Sequence, residues 1–99
     1  MAVAVSVLVP VCNVERYLRE CLDSLAAQTL RDIEIICVDD GSTDSSGAII
    51  DEYCARYQNF RVIHKPNTGY GNSMNCGLDL ARGEYVGIVE SDDFANKKM

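Results

Sequence analysis

The acidic run at residues 90–93, which reads Glu-Ser-Asp-Asp, is the strongest chemical signal in this sequence. It follows the apolar segment 86–89, so its carboxylates are expected at the tip of a strand. Carboxylates that are adjacent or two positions apart can hold a hard cation through their oxygens. A metal ion held there could bridge a diphosphate and stabilise it as a leaving group. The alternative is a solvated acidic turn without a ligand.

A second acidic cluster, Asp-Asp-Gly-Ser at residues 39–42, ends the apolar segment 33–38. The Asp40 carboxylate could accept a hydrogen bond from a nucleobase N–H or a ribose hydroxyl. The alternative is a helix cap, in which Ser42, Thr43 or Asp44 begins the next helix. Both can hold together, with Asp40 directed at a ligand and Asp44 or Thr43 serving as the cap.

Two further polar clusters, at residues 10–13 and 66–69, also follow segments that read as strands. In a parallel α/β sheet, ligands bind in the crevice outside the carboxyl ends of the strands. If the four strands are parallel, the four clusters meet at one edge of the sheet. The sequence therefore predicts a site for a metal-bridged phosphate ligand at that edge.

Hydrophobic periodicity predicts four strands and three helices in strict alternation. The predicted strands cover residues 3–11, 33–38, 60–64 and 85–89, and the predicted helices cover residues 14–28, 45–57 and 70–81. This order predicts an α/β fold, a Rossmann-like three-layer sandwich with a mainly parallel sheet. Residues 94–99 read as the start of another element.

A few residues are predicted to set the element boundaries. Pro10 should close the first strand, because proline cannot donate to a ladder. Asn13 should cap the first helix. Arg82 and Gly83 should end the third helix as a basic last turn and a glycine just past the helix.

The composition describes one small globular domain over residues 1–99, with 47% apolar and 24% charged residues. A net charge of −6 argues against nucleic acid or an anionic membrane as the main partner. A nucleotide is compatible with this charge, because a divalent cation can neutralise its phosphates. No apolar run approaches the roughly 18 residues of a transmembrane segment. No basic region precedes the N-terminal apolar segment, as it would in a signal peptide.

The five cysteines are odd in number, widely spaced and mostly set among apolar neighbours. They contain no C-x-x-C pair, which argues against a zinc knuckle or a redox motif. The favoured interpretation is free, buried thiols in a reducing cytoplasm. The positions are Cys12, Cys21, Cys37, Cys54 and Cys76.

Other motifs that could indicate catalysis either stand at the wrong position in the fold or lack a required partner residue. The Gly-Tyr-Gly at residues 69–71 resembles the start of a dinucleotide-binding fingerprint, but it follows the third strand, and Met74 stands where the third glycine should be. No glycine-rich turn follows the first strand, which disfavours a Rossmann oxidoreductase. For His64, the only histidine, a structural role at a strand end is favoured over a catalytic one. No serine has a histidine partner at a spacing that suits a hydrolase triad.

Several stretches, in the correct order and spacing, closely resemble family 2 glycosyltransferases. The first is residues 5–13, Val-Ser-Val-Leu-Val-Pro-Val-Cys-Asn, followed by Tyr17-Leu18, by Cys-Leu-Asp-Ser-Leu at residues 21–25 and by Gln28-Thr29. The others are residues 33–44, Ile-Glu-Ile-Ile-Cys-Val-Asp-Asp-Gly-Ser-Thr-Asp, and residues 83–86, Gly-Glu-Tyr-Val. Together they extend the resemblance over about residues 4–94.

The resemblance implies a GT-A fold and an enzyme that transfers a hexose from a nucleotide-diphosphate donor, with UDP as the nucleotide and Mg²⁺ or Mn²⁺ as the metal. It implies inversion at the anomeric carbon and a saccharide or lipid-linked acceptor in cell-envelope polysaccharide synthesis. It also implies a cytoplasmic location, with the inner face of the membrane as an alternative for a longer protein. The rival interpretation is a non-catalytic nucleotide-binding module, or one that forms a homodimer through its open surface.

Carried over by position, the resemblance assigns Asp92 as the metal ligand. It places Glu90, one methylene longer than the family's usual aspartate, at the ribose or at a water, and it places Asp40 at the base. The residues expected to line the nucleotide site are Pro10, Val11, Asn13, Glu15, Asp39, Asp40, Asn67, Gly69, Asn75, Glu90 and Ser91.

Two departures from the family pattern affect these expectations. The resemblance implies Ala-Arg-Asn where this sequence has Ser73, Met74 and Asn75, so the cationic contact to the donor that an arginine would make is not expected from this position. The general base and the acceptor-binding half are expected beyond residue 99. No catalytic residue is therefore assigned, and the 99-residue chain is expected not to transfer sugar by itself.

Overall fold

The computed structural model describes residues 5–27 and 32–90, apart from the side chain of Tyr70. Strands and helices alternate along these residues as predicted. The elements are β1 (Val5–Val11), α1 (Glu15–Ala26), β2 (Ile33–Asp40), α2 (Ser46–Arg56), β3 (Phe60–Lys65), α3 (Tyr70–Leu80) and β4 (Tyr85–Ile88). The predicted start of the first strand at Val3, the predicted end of the first helix at Gln28, and residues 94–99 lie outside the described residues.

The four strands form one parallel sheet in the order β3-β2-β1-β4. Because all four strands run in the same direction, their carboxyl ends lie at one edge, as predicted. The chain places β2 and β3 on one side of β1 and then places β4 on the other side. The strand order therefore reverses between β1 and β4, which is where a ligand crevice is expected in such a sheet.

Helices cover both faces of the sheet, which confirms the three-layer α/β sandwich. One core lies between the sheet and helices α1 and α2, and Leu18, Leu22 and Ile50 are fully buried in it. A smaller core lies beneath α3 and consists of Leu8, Ile36, Val38 and Met74. None of the helices in the described part of the chain is long and apolar enough to cross a membrane.

Pro10 lies inside β1 and does not close it as predicted. The Val89 N–H donates to the Leu8 carbonyl at 3.0 Å, so the backbone groups of Leu8 point towards β4. The backbone of Pro10, two residues later, points the same way. The paired part of β4 ends at Ile88, opposite Leu8, so the ladder does not use the N–H that proline lacks.

Gly83 has a packing role instead of the predicted helix-ending role. Helix α3 ends at Leu80, Ala81 is extended, and Gly83 is not among the glycines with positive φ. A Cβ on Gly83 would lie 2.6 Å from the backbone N of Ser6, so a glycine is needed for this close approach to β1. The Gly83 N–H then donates to Ser6 Oγ at 2.8 Å.

The buried carboxylate of Glu34 joins the segment after α3 to the sheet. It accepts hydrogen bonds from Ser6 Oγ at 2.6 Å, from the Arg82 N–H at 2.7 Å and from the Arg61 guanidinium at 3.1 Å. Although burial opposes its ionisation, hydrogen bonds from Ser6, Arg82 and Arg61 hold the pKa of this carboxyl below its ordinary value. Since Ser6 and Glu34 are the second residues of their strands, this network lies at the amino edge of the sheet, opposite the predicted site.

All five cysteines are free, but they are not uniformly buried as predicted. Cys21 and Cys37 are buried, Cys54 and Cys76 are half-buried, and Cys12 is exposed. Burial raises the pKa of the Cys21 thiol to about 11. Cys12 is exposed because it directly follows β1, at the carboxyl edge of the sheet.

Candidate functional site

Asp39 and Asp40 are the last two residues of β2, and they point to opposite faces of the sheet. Both residues are buried. Asp39 faces helix α2, and Asp40 faces the loop that leads into α3. The acidic pair that looked like one cluster in the sequence therefore serves two separate polar networks.

The Asp40 carboxylate organises the loop between β3 and α3. The Lys65 ammonium donates to Oδ1 at 2.6 Å, and the Thr68 N–H donates to the same oxygen at 2.9 Å. The Gly69 N–H donates to Oδ2 at 3.1 Å. The hydrogen bond from Lys65, followed by the one from the Thr68 N–H, holds the pKa of Asp40 below its ordinary value. At neutral pH Asp40 is therefore an ionised group that only accepts hydrogen bonds.

Lys65 is the member of this network that sequence reasoning missed. Besides Asp40, its ammonium contacts the Pro66 carbonyl at 2.9 Å and Thr68 Oγ1. The prediction ended the second strand at Val38 and the third at His64, whereas the ladder continues to the pair Asp40 and Lys65. The signal that could have found Lys65 is this position, because opposite charges at the ends of neighbouring strands tend to pair.

Asp39 holds the turn after β2 and the only histidine. Its Oδ1 accepts from the Ser42 N–H at 3.0 Å, and its Oδ2 lies 2.9 Å from His64 Nδ1. His64 Nε2 lies 2.7 Å from Asp51 Oδ1 on α2, and the hydrogen bonds to Asp51 and then to Asp39 raise the pKa of His64. A Cβ on Gly47 would lie 2.8 Å from Asp39 Oδ2, so glycine leaves room for this bridge. The geometry favours the structural interpretation of His64 over the catalytic one.

Asn13 does not cap α1 as predicted; it binds the loop between β2 and α2. Its Oδ1 accepts from the N–H groups of Thr43 at 2.8 Å and of Asp44 at 3.2 Å. The backbone of Asn13 has a φ of 53°, in the left-handed region that asparagine tolerates better than most residues. Val14 precedes α1 without a side-chain cap, and the first helical N–H, that of Glu15, donates to Asp44 Oδ2 at 3.2 Å. Helix α1 thus receives its cap from a distant loop.

Asp44 also serves the start of α2. Its Oδ1 accepts from the Ser46 N–H at 2.8 Å, which is the capping role that was expected of residues 42–44. Ser46 Oγ in turn accepts from the Val14 N–H at 3.1 Å. The loops after β1 and β2 are therefore held together by side chains of both.

The loop after β3 packs against the other two loops. Gly41 has a φ of 69°, and a Cβ there would lie 2.6 Å from the backbone N of Asn67. The Asn67 side-chain amide contacts Cys12 Sγ at 3.6 Å. Three of the four predicted clusters are therefore in direct contact at the carboxyl edge.

The other predicted site residues lie around this edge. Pro10 is half-buried, and the side chain of Val11 belongs to the core under α1 and α2, so a ligand at the edge would meet the Val11 backbone. Glu15 is exposed at the start of α1. Asn75 is exposed on α3, and no described contact links it to the other predicted residues. Glu90 is half-buried, two residues beyond the last ladder pair of β4.

The predicted metal ligand Asp92, together with Ser91 and Asp93, lies outside the described residues. Within residues 5–27 and 32–90, no group of three histidine, cysteine or acidic side chains is placed to hold a metal ion. Glu90, the first acid of the run, follows β4 at the same edge that carries Asp40. Carboxylate oxygens such as those of this run suit Mg²⁺ or Mn²⁺.

Residues 6–99 match the family described as glycosyl transferase family 2. One similar curated protein is the uncharacterized glycosyltransferase EpsJ of Bacillus subtilis strain 168, which is 48% identical over 95 residues. The similarity covers 96% of this chain and 28% of EpsJ. The chain therefore spans less than a third of the length of this relative.

Two solved structures share the architecture. S. aureus TarS 1-349 in complex with UDP has a TM-score of 0.82 at 38% identity, over 90% of this chain and 27% of that one. The mannosyltransferase PcManGT from Pyrobaculum calidifontis, in complex with GDP-Man and Mn²⁺, has a TM-score of 0.78 at 28% identity, over 93% of this chain and 28% of that one. The parallel sheet with its helices is the α/β arrangement of GT-A glycosyltransferases.

Proposed function

This chain belongs to glycosyltransferase family 2, and we propose that it forms the donor-binding part of an inverting transferase that uses a UDP-sugar. The observation that carries the proposal is the contact of three loops at the carboxyl edge, beside the ionised carboxylate of Asp40, which holds the loop after β3. Such a carboxylate can accept the N3–H of uracil. The UDP and GDP-Man bound in the two solved relatives support a nucleotide-diphosphate sugar as the donor.

In this proposal the donor lies in the crevice at the carboxyl ends of β1 and β4, where the strand order reverses, with its base at Asp40 and its ribose near Glu90. Asn13 and Asp39 act through the turn after β2, because their side-chain oxygens already accept hydrogen bonds from the backbone of that turn. The residues proposed to form the nucleotide site, by contact or through this turn, are Pro10, Val11, Asn13, Glu15, Asp39, Asp40, Asn67, Gly69, Asn75, Glu90 and Ser91.

We propose Mg²⁺ or Mn²⁺ as the metal and Asp92 as its protein ligand. The Mn²⁺ in the PcManGT complex supports a divalent ion, and the acidic run that begins at Glu90 starts from the donor edge. When bound, the ion would neutralise the diphosphate that departs with the nucleoside. The role of this chain would be to hold the Asp92 carboxylate beside that diphosphate.

Titration calorimetry with UDP, with and without Mn²⁺, tests the donor site. Asp40→Asn should weaken UDP binding by roughly tenfold, because the amide no longer offers an ionised acceptor. Asp92→Ala should abolish the gain in affinity that Mn²⁺ provides. Asp79→Asn, an exposed change on α3, is the control with the same change in charge. Equal UDP affinity in Asp40→Asn and the unaltered chain would refute the proposed site.

The sugar, the acceptor and the catalytic base belong to the wider proposal. We propose a hexose as the sugar and a saccharide or lipid-linked acceptor in cell-envelope polysaccharide synthesis, in the cytoplasm or at the inner face of the membrane. The acceptor site and the base would lie in the greater part of the relatives' length that this chain does not span. Detectable sugar transfer by the purified 99-residue chain would refute this division.

A second candidate function is a non-catalytic, self-associating module. The observation that favours it is the exposure of apolar side chains on the edge strand β4, where Tyr85 is 68% and Ile88 is 51% exposed. Light scattering together with the UDP titration separates the two candidates. A stable dimer without nucleotide binding would favour the module.

A further inference from the structure

The hydrogen bonds that Asp40 already accepts limit what it can offer to a ligand. A carboxylate has about four lone-pair positions, two on each oxygen. Oδ1 uses both of its positions, for the Lys65 ammonium and for the Thr68 N–H. Oδ2 uses one, for the Gly69 N–H. One acceptor position therefore remains, and it lies on Oδ2.

Lys65 is held too firmly to act as a ligand-binding group itself. Its three N–H donors face three acceptors, namely Asp40 Oδ1, the Pro66 carbonyl and Thr68 Oγ1. Only 9% of the Lys65 side chain and 11% of the Asp40 side chain are exposed. A ligand can therefore contact only a small part of this pair. The Lys65 ammonium has no N–H left to donate to that ligand.

We propose that Lys65 is a specificity-determining residue for the donor nucleobase, because it leaves Asp40 with a single acceptor position and thereby selects bases that present one N–H donor there. This inference rests on the proposed function, in which Asp40 binds the base. Lys65 acts through Asp40 and needs no contact with the ligand.

The chemistry of the bases gives this selection a direction. Uracil presents a single N3–H between two carbonyl groups, which matches one free acceptor. Guanine presents adjacent N1–H and N2–H donors, and the second donor would face the oxygen that Lys65 occupies and the positive charge behind it. A donor left without a partner in a buried site is costly, and a like-polarity contact adds to the discrimination. Cytosine presents an acceptor at N3, so Asp40 rejects it whether or not Lys65 is present.

Nucleoside diphosphates of matched size separate the two parts of this inference in the unaltered chain. IDP has the purine ring and the N1–H of GDP but lacks the N2 amino group. We expect IDP to bind roughly tenfold more tightly than GDP, and UDP to bind roughly tenfold more tightly than CDP, all in the same Mn²⁺ buffer. GDP binding as tight as IDP would overturn the role of Lys65, even if UDP is preferred over CDP. Equal binding of UDP and CDP, or no binding at all, would overturn the proposed base site and this inference with it.

Lys65→Met removes the ammonium and keeps the length of the side chain. We expect the preference for IDP over GDP to disappear in this variant, while the preference for UDP over CDP persists. Lys65→Arg, which keeps a cation beside Oδ1, should retain the preference for IDP. Arg56→Met, at the far end of α2, is the control for the loss of one positive charge. If Lys65→Met weakens all four ligands by the same factor, Lys65 only supports the loop and the inference is wrong.

Discussion

Three buried serines differ in whether their hydroxyl groups have hydrogen-bond partners. Ser6 Oγ donates to Glu34 and accepts from the Gly83 N–H, and Ser46 Oγ accepts from the Val14 N–H. Ser73, on the first turns of α3, is as fully buried as the other two. Its Oγ has no hydrogen-bond partner among the residues that the structure describes. A buried hydroxyl without a partner destabilises the folded state, because it has lost its hydrogen bonds to water.

We predict that Ser73→Ala stabilises the chain, whereas Ser46→Ala destabilises it. Removing the unpaired hydroxyl should raise the free energy of unfolding by about 1 kcal/mol, helped by the higher helix propensity of alanine. Removing the hydroxyl of Ser46 should lower it by about 1 kcal/mol, because the partly buried Val14 N–H loses its acceptor. Urea unfolding curves of the two variants check both signs. A loss of stability in Ser73→Ala would contradict this account.

Residue types at the strand ends were predictable from the sequence, but their pairing was not. The sequence indicated that Asp40 lies at a shared edge, because acidic and glycine-rich clusters follow apolar runs. The ion pair between Lys65 and Asp40 was not predicted, since it depends on the register between β2 and β3 and on both strands continuing to these residues. The opposite directions of Asp39 and Asp40 follow from strand alternation, but only once β2 is known to continue to Asp40.

At the scale of elements, Glu34 connects more of the fold than any apolar residue beside it could. Its carboxylate binds β1 through Ser6, β3 through Arg61 and the segment before β4 through the Arg82 N–H. These contacts help to set where β4 begins, and β4 carries Glu90 to the carboxyl edge. An apolar side chain could pack at this position, but it could not accept the hydrogen bonds that Arg61 and Arg82 donate to Glu34.

We predict that Glu34→Gln lowers the free energy of unfolding by about 2 kcal/mol at neutral pH, because a neutral amide replaces the buried carboxylate that accepts from Ser6, from the Arg82 N–H and from the partly exposed Arg61 guanidinium. The folded-state pKa of Glu34 is depressed, so its contribution is fully present above the unfolded-state pKa and is lost as pH falls through the folded-state value. The gap between the two proteins should therefore narrow in acid. Urea unfolding at pH 7 and in acid measures it.

Glu52→Gln is the matched control for this prediction, since Glu52 pairs with Arg19 on the exposed surface. Its unfolding midpoint should stay close to that of the unaltered chain. An equal loss of unfolding free energy in the two variants would show that the burial of Glu34 does not make its hydrogen bonds more stabilising than a surface ion pair.

The order of elements was predicted correctly, because it depends on local periodicity. The boundary signals failed where the deciding partner is far away in the sequence. Asn13 is a good capping residue, but the N–H groups of Thr43 and Asp44 bind its side chain instead. Gly83 looked like a helix terminator, but its lack of a side chain is used for contact with Ser6. Met74, the residue that departs from the pattern implied by the resemblance, packs in the core under α3.

At the scale of the whole molecule, the described helices bury β1 and β2 but leave apolar side chains of β4 exposed. On the α3 side, Val86 and Ile88 of β4 are 42% and 51% exposed, and Leu78 of α3 is also exposed. Among the described strands, β4 pairs only with β1. Exposed apolar groups beside an open strand edge favour association with another surface.

We predict that the purified chain self-associates at high concentration through β4 and that Val86→Lys shifts it towards the monomer. The lysine places a charge among the exposed apolar groups, which opposes burial of that face. Sedimentation velocity over a range of concentrations measures the change. Tyr17→Lys, on the exposed side of α1, is the control and should leave the mass unchanged. Equal masses for Val86→Lys and the unaltered chain would contradict the role of β4.

The capping of α1 by a distant loop has a consequence for how the chain folds during translation. The acceptors at the start of α1 come from residues that lie 29–32 positions further along the chain. A nascent chain that has emerged only as far as Ala26 has none of them, and a helix of 12 residues is marginal by itself in water. We expect the first strand and helix to remain without stable structure on the ribosome until residue 46 has left the exit tunnel. The N-terminal half would then fold as one cooperative unit.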